Sequence, residues 1–231
     1  MLFLQAQMQE AVTEMAANPV LTEVVETATE MNLWDMAVKG GWIMIILGLL
    51  SILCVYIFAE RLVVIRKASK VDPVFMDRIH DYVKTDELKS AINYCRITNS
   101  PVSNMIEKGL ERIDRPASEV QAALENAGNL EVAKLEKGLP VMATISSGAP
   151  MIGFLGTVLG MVKAFWEMAN AGNNIDITLL SSGIYEAMIT TIGGLIVGIV
   201  AMFAYNYLVS RVNDVANILE AQTLSFMDLK N

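Results

Sequence analysis

The sequence of 231 residues has one histidine, two cysteines and few charged residues. Zinc sites use clusters of Cys and His, and no cluster with recognisable spacing is present. Cys54 lies in an apolar run and Cys95 in a charged segment, so a disulfide between them is not expected. Walker, Rossmann, zincin and nucleophile-elbow patterns are absent as well. These shortages argue against an enzyme of a familiar type and against a disulfide-rich secreted module.

The chain also lacks an excess of basic residues. Lys and Arg number 17 against 25 for Asp and Glu, which gives a net charge of −8. A protein that binds nucleic acid needs a basic surface that displaces counterions from the phosphates. The sequence therefore predicts no nucleic-acid partner, and nothing in it indicates a metal or a cofactor.

Apolar residues are what the sequence does have, at 54% of the chain, with 18% charged. Most of this excess lies in three runs without any charged residue: 40–59, 138–162 and 187–210. A membrane-spanning helix needs about 20 mostly apolar residues, and each run is long enough. The sequence predicts an all-α membrane protein with three transmembrane helices and long cytoplasmic helical extensions.

Basic residues next to these runs indicate the topology, because they mark the cytoplasmic side. They are Arg61, Arg66, Lys67 and Lys70, then Lys134 and Lys137, and finally Arg211. Residues 1–39 hold six acids and one base, so the N-terminus is predicted to lie outside and the C-terminus inside. The four bases after the first run are interpreted as a topology anchor; a lipid head-group site is an alternative that the sequence does not require.

The predicted order along the chain follows from these charges. It is an outer amphipathic segment (1–39), a first span (40–60), a cytoplasmic helical domain (61–137), a second span (138–166), a short outer loop (167–177), a third span (178–210) and a cytoplasmic tail (211–231). Within the cytoplasmic domain, Asp72-Pro73 and Ser100-Pro101 are expected to begin helices. Ser118 with Gln121 is expected to form a capping box, and His80 to lie on a helix surface.

Small residues recur at spacings of three or four in the second and third spans. They include Gly153, Gly156 and Gly160 in the second, and Gly194 and Gly198 in the third. Such residues let helix backbones approach closely, so they predict helix packing. Pro150 removes one backbone hydrogen bond inside the second span and indicates a kink or a freed carbonyl.

Hydroxyl groups in the same spans suggest more than packing. Thr157 lies on the second span, Thr190 and Thr191 on the third, and Glu186 one turn before Thr190. A threonine in a span often bonds back to its own helix, and that alternative stays open for each one. Together with Glu186 they favour a hydrated path. No other residue deep in a span is clearly suited to carry a proton in a relay, so a proton path would need an acid from another subunit.

Three stretches of sequence carry a family resemblance. They are APMIGFLGTVLGMVKAFWEMA (149–169), GIYEAMITTIGGLIVGIVAMFAYN (183–206) and AERLVVIRK (59–67). They resemble the ExbB/TolQ/MotA proton channel family, and the order of spans fits as well.

The resemblance implies a pentameric ring in the bacterial inner membrane, with the N-terminus periplasmic. The ring would enclose the single spans of two ExbD-like partners, whose aspartate would supply the missing acid, and would pass motion to a TonB-like protein. The family's pore threonines match Thr157 and Thr191, and its third-span glutamate matches Glu186.

Three spans rather than four disfavour a MotA-like stator. An ExbB-like motor subunit is expected, with a TolQ-like subunit of the Tol-Pal system as the alternative. A non-conducting membrane scaffold, in which the small residues only pack helices, stays open. A solute transporter is disfavoured, because three spans lack the inverted repeats usual there.

Overall fold

The computed structural model describes residues 40–70, 72–170 and 177–230. The predicted outer segment 1–39 and most of the predicted outer loop lie outside these residues. The described part is helical and contains no strand. Its helices are α1 (Gly41–Ala68), α2 (Phe75–Lys84), α3 (Leu88–Thr98), α4 (Pro101–Leu110), α5 (Ala117–Glu136), α6 (Leu139–Asn170) and α7 (Ile177–Lys230).

Three of these helices, α1, α6 and α7, are long and apolar enough to cross a membrane. On α1 the buried residues form one stripe that includes Ile43, Leu47, Cys54 and Ile57. Around the rest of α1 large apolar side chains are exposed, Trp42, Ile45 and Ile52 among them. A helix that is apolar on its exposed faces is suited to lipid rather than water. The predicted all-α membrane fold with three spans is confirmed.

The described chain divides into two compact units. One comprises residues 40–44, 156–170 and 177–190; the other comprises residues 45–70, 72–155 and 191–230. The helices α1, α6 and α7 each contribute residues to both units.

The second unit contains a continuous apolar core that joins the short helices to the long ones. The side chains at its centre include Phe75, Ile79, Met105, Ile106, Leu124, Leu208, Val215 and Phe226, all at most 2% exposed. Gly109 lets α4 approach this core, since a Cβ there would lie 2.6 Å from Leu124 and 3.0 Å from Phe226. Burial, followed by the nearby Glu107 carboxylate, raises the pKa of the Cys95 thiol to about 12, so this thiol stays protonated at neutral pH.

Helix starts in this unit follow the predicted caps in part. Ser100 caps α4 with Pro101 as its first residue, and Ser103 completes a capping box. Asp72 accepts a hydrogen bond from the Val74 amide, and α2 begins at Phe75. The capping box predicted for Ser118 and Gln121 is wrong, because α5 begins at Ala117 with Pro116 in the cap position and no side-chain cap bond.

Arg61 connects α1 to the end of α5. Its side chain is buried, Nη1 donates to the Lys134 carbonyl at 3.3 Å, and Nη2 donates to Glu60 at 2.7 Å. That carbonyl belongs to the last turn of α5, where backbone oxygens lack a partner in the helix. Gly138 then separates α5 from α6 with a φ of +89°, a conformation that favours glycine.

Candidate functional site

In the second unit, the backbones of α6 and α7 touch at two glycines of α7. A Cβ added to Gly194 would lie 2.6 Å from the Ala149 carbonyl oxygen and 2.8 Å from Gly153 Cα. A Cβ added to Gly198 would lie 2.5 Å from Pro150 Cγ and 3.0 Å from the Ser146 carbonyl oxygen. Because the facing atoms are backbone or a rigid ring, no side chain can turn away to make room.

The Ser146 carbonyl that Gly198 faces is one that Pro150 leaves without a helical donor. Proline has no N–H, so the carbonyl four residues earlier loses its helical donor. That carbonyl belongs to Ser146, and α6 continues through this point as a single helix. The Cα of Gly198 packs beside it, and weak Cα–H···O contacts recur at such helix interfaces.

The first unit repeats this arrangement with different residues. A Cβ on Gly160 would lie 2.9 Å from that of Ala187, and a Cβ on Gly183 would lie 2.6 Å from that of Ala164. Gly156 faces the side chain of Thr190 in the same way. Close packing of α6 on α7 is therefore present in each unit, and Gly183 belongs to it although the sequence analysis did not single it out.

The hydroxyl of Thr157 leaves its own helix. In the first unit its Oγ1 donates to the Ala187 carbonyl of α7 at 3.1 Å. Thr190 also donates to the Ala187 carbonyl, at 2.8 Å, but from within α7. One backbone oxygen of α7 thus receives two threonine hydroxyls, one from each helix.

Thr191 makes the matching bond in the opposite direction within the second unit. Its Oγ1 donates from α7 to the Gly153 carbonyl of α6 at 3.3 Å. The hydroxyls of Thr144, Ser146 and Ser147 instead bond to carbonyls of their own helix. Those three hydroxyls and that of Thr190 therefore donate to carbonyls of their own helix. The hydroxyls of Thr157 and Thr191 donate from one helix to the other.

Glu186 lies well inside α7. The helix begins at Ile177, so this residue is nine positions further on, about 14 Å at 1.5 Å per residue. Its Oε2 lies 3.8 Å from Lys163 Nζ, with side-chain exposures of 36% and 61%. Its Oε1 lies over Gly41, where a Cβ would be 2.8 Å away and where φ is +66°.

Lys163 and Gly41, like Gly183, are site residues that the sequence did not indicate. The sequence shows Lys163 only as the charge that ends the second apolar run. Its pairing with Glu186 depends on how α6 and α7 are aligned lengthwise, which no spacing rule provides. Within the part of the chain that the structure describes, no three His, Cys, Asp or Glu residues are grouped to hold a metal ion.

Fold and site together define a class of protein: a membrane protein with three candidate spanning helices, two of them in backbone contact through glycines and joined by threonine hydroxyls. Residues 97–221 match the MotA/TolQ/ExbB proton channel family. The matched segment is more than half of the chain, and the chain belongs to this family.

Individual relatives carry two different names. An ExbB homologue of the biopolymer transport type from Methanothermobacter thermautotrophicus is 31% identical over 187 residues, which is 80% of this chain and 66% of that protein, just under two thirds. The Tol-Pal system protein TolQ of Haemophilus influenzae is 30% identical over 199 residues, 80% of this chain and 87% of TolQ. The biopolymer transport protein ExbB of Xanthomonas campestris is 38% identical over 94 residues, 41% of this chain and 36% of ExbB.

Proposed function

We propose that this chain is a proton-conducting motor subunit of the ExbB type, which uses the proton motive force to energise TonB-dependent transport across the outer membrane. The observation that carries the proposal is the pair of threonine hydroxyls, Thr157 and Thr191, that donate across the α6–α7 pair. Family membership supports the same activity. A threonine hydroxyl can both donate and accept hydrogen bonds, so groups of this kind can form part of a hydrated chain.

The proposed complex needs a second kind of subunit. Threonine orders water but does not ionise at neutral pH, and Glu186, paired with Lys163, lies near the start of α7. A single-span partner of the ExbD type, with an acid in its span, would supply the titrating group. We infer a pentameric ring in the bacterial inner membrane around two such spans, with the N-terminus periplasmic, the C-terminus cytoplasmic and a TonB-like protein as the recipient of motion.

A TolQ-like role in the Tol-Pal system is the second candidate. The alignment with Haemophilus influenzae TolQ covers 87% of that protein, more than it does for the two relatives named ExbB above. Copurification with an ExbD-type partner favours the first role, and copurification with the corresponding Tol-Pal partner favours the second. A non-conducting scaffold is the third, since hydroxyls that join two helices also hold them together.

Paired substitutions at the two threonines distinguish a proton-conducting subunit from a non-conducting scaffold. Thr157→Val with Thr191→Val removes both hydroxyls and keeps the branched shape, whereas Thr157→Ser with Thr191→Ser keeps the hydroxyls. We expect the valine form to assemble with the partner but to lose proton flux into proteoliposomes by about tenfold or more. Removing the hydroxyls takes two water partners out of the path, and about 1.4 kcal/mol added to the barrier lowers a rate tenfold. The serine form should conduct.

Thr144→Val is the matched control, because this exposed hydroxyl bonds only to its own helix at Pro140. Unchanged flux in the double valine form would contradict a hydroxyl-lined path and favour the scaffold. Loss of assembly in the valine form but not in the serine form would also favour the scaffold.

A further inference from the structure

A cleft with two arginines lies between α1 and α7 in the second unit. Its volume is about 240 Å³. It is lined by Arg66 of α1, by Ser69 directly after that helix, and by Tyr207 and Arg211 of α7. The buried side chains of Ile65 and Leu208 form its apolar floor. No acidic residue lines it, so the cleft carries two positive charges.

One of the two guanidinium groups contacts the Tyr207 phenol. Arg211 Nε donates to Tyr207 Oη at 3.3 Å, and its guanidinium carbon lies 5.3 Å from the centre of that ring. Arg66 lines the same cleft from α1. The ring of Phe58 is 6.4 Å from that of Tyr207 and contributes a further contact between α1 and α7.

The charges of the cleft are only weakly compensated. The nearest acid to Arg211 is Asp214, at 3.5 Å, and both side chains are more than half exposed. Exposed pairs of this kind contribute little, because water screens them. A guanidinium has five N–H donors, and the contacts of Arg211 with Tyr207 and Asp214 use two of them. Donors therefore remain for an anion with several oxygens.

The cleft lies where the apolar runs end. Arg211 directly follows the third run, and Arg66 is seven positions beyond the first, about 10 Å along the helix. The head-group layer of one leaflet is about 5–7 Å thick, and an arginine side chain reaches back toward it. Tyr207 fits the aromatic belt at the same level.

We propose that this cleft binds the phosphate group of an anionic ligand through Arg66 and Arg211, with the Tyr207 hydroxyl as a further donor, since the Ser69 hydroxyl already donates to the Ile65 carbonyl. Planar guanidinium groups bind phosphate oxygens in pairs, which a lysine cannot do. The phosphate can come from the head group of an anionic phospholipid of the inner leaflet or from a free phosphate compound in the cytoplasm. The site is separate from the proposed proton path and does not depend on it.

Binding of fluorescent phosphatidylglycerol to the purified full-length chain, in neutral detergent at fixed ionic strength, tests the site. Arg66→Gln with Arg211→Gln should weaken binding by about tenfold or more, as expected for two basic residues at a membrane surface. Lys89→Gln with Arg112→Gln is the matched control, because it removes the same charge from exposed cytoplasmic positions. That control should bind within about twofold of the unchanged chain if the cleft, and not net charge, holds the lipid.

Competition identifies the source of the phosphate. If unlabelled phosphatidylglycerol displaces the fluorescent lipid but inorganic phosphate and glycerol phosphate do not, the site is assigned to lipid. If all three displace it at similar concentrations, the site is assigned to a free phosphate group. Equal binding by the Arg66/Arg211 variant and the unchanged chain overturns the proposal, and so does equal weakening in the matched control.

A milder pair of variants keeps the test decisive if the glutamine form does not fold. Arg66→Lys with Arg211→Lys keeps both charges but loses the paired donors, and Tyr207→Phe removes only the phenol hydroxyl. Both should weaken phosphatidylglycerol binding measurably with an unchanged circular dichroism spectrum. Unaltered binding by both overturns the assignment to this cleft.

Discussion

Among single residues, Glu186 has the most unusual surroundings. An ionised acid inside a span costs about 2.5–3.5 kcal/mol on insertion scales unless it has a partner or a cavity. Here the partner is Lys163, and Gly41 leaves room for the carboxylate because it has no side chain. The ion pair connects α6 to α7 inside the first unit, so we expect it to contribute to the stability of that unit.

Charge reversal measures this contribution. Lys163→Glu places two acids side by side, and Glu186→Lys places two bases side by side, so each single change should destabilise the purified chain. The pair is partly exposed, so we expect about 1 kcal/mol, or about 2–4 °C in the thermal midpoint for a chain of this size. Both changes together should recover most of that loss. A double variant no more stable than the single ones would show that the 3.8 Å approach does not stabilise the fold.

The sequence indicates a site residue where a polar side chain stands among apolar neighbours. Thr157, Thr191 and Glu186 could be found because polar side chains are conspicuous in or beside apolar runs. Whether a hydroxyl bonds to its own helix or to the next one depends on the rotation of α6 against α7, and sequence spacing does not give that rotation. For the same reason Lys163 could be placed at the end of a span but not assigned to Glu186.

Among the helices, α7 packs both within the apolar span and in the core of the second unit beyond it. Within the second unit its buried positions recur at spacings of three, four or seven: 194, 198, 201, 208, 212, 215, 219 and 226. The first three are Gly, Gly and Ala, and the later ones are larger, ending in Phe226. This heptad-like spacing is typical of helices that pack side by side over a long distance. Small residues therefore bring backbones together in the span, and large ones fill the core beyond it.

Glycine-to-leucine substitutions at tightly packed and at open positions distinguish the effect of a steric clash on stability from the effect of losing a flexible glycine. Gly198→Leu would drive a side chain into Pro150 and the Ser146 carbonyl, and overpacking of this kind costs about 1–3 kcal/mol. Gly148→Leu on α6 and Gly48→Leu on α1 are matched controls, because a Cβ at either position meets nothing within 4 Å. We expect a lower thermal midpoint for the first variant and little change for the controls. Equal midpoints for all three would contradict the close approach of α6 and α7.

Helix starts illustrate the limit of prediction for an element. Ser100 and Pro101 were predicted correctly because the cap, the proline and the helix all agree there. Ser118 and Gln121 have the spacing of a capping box, but Pro116 lies two residues earlier and takes the cap position, which places Ser118 in the first turn. A short motif can therefore predict that a helix begins nearby without fixing its first residue.

At the scale of the whole molecule, the described part of the chain leaves too much apolar surface for a lone soluble protein. Exposed large side chains on α6 include Met151 at 71%, Phe154 at 64% and Trp166 at 68%, and on α7 Phe203 at 67%. Lipid accounts for such exposure on a helix that faces outward. The proposed ring of identical chains would account for it on helices that face a neighbour, and the number of chains in the particle distinguishes the two situations.

The native mass of the gently solubilised particle is the measurement that decides this. Five chains of 25.3 kDa each would give about 127 kDa of protein, and we expect that value both for the chain alone and, with the partner's mass added, after coexpression with an ExbD-type subunit. A heterologous contact repeated around an axis closes into a ring of fixed number, so intermediate masses should be rare. A particle of one or two chains under both conditions would contradict the ring, and with it the enclosed path in which a partner's acid completes a proton relay between threonine hydroxyls.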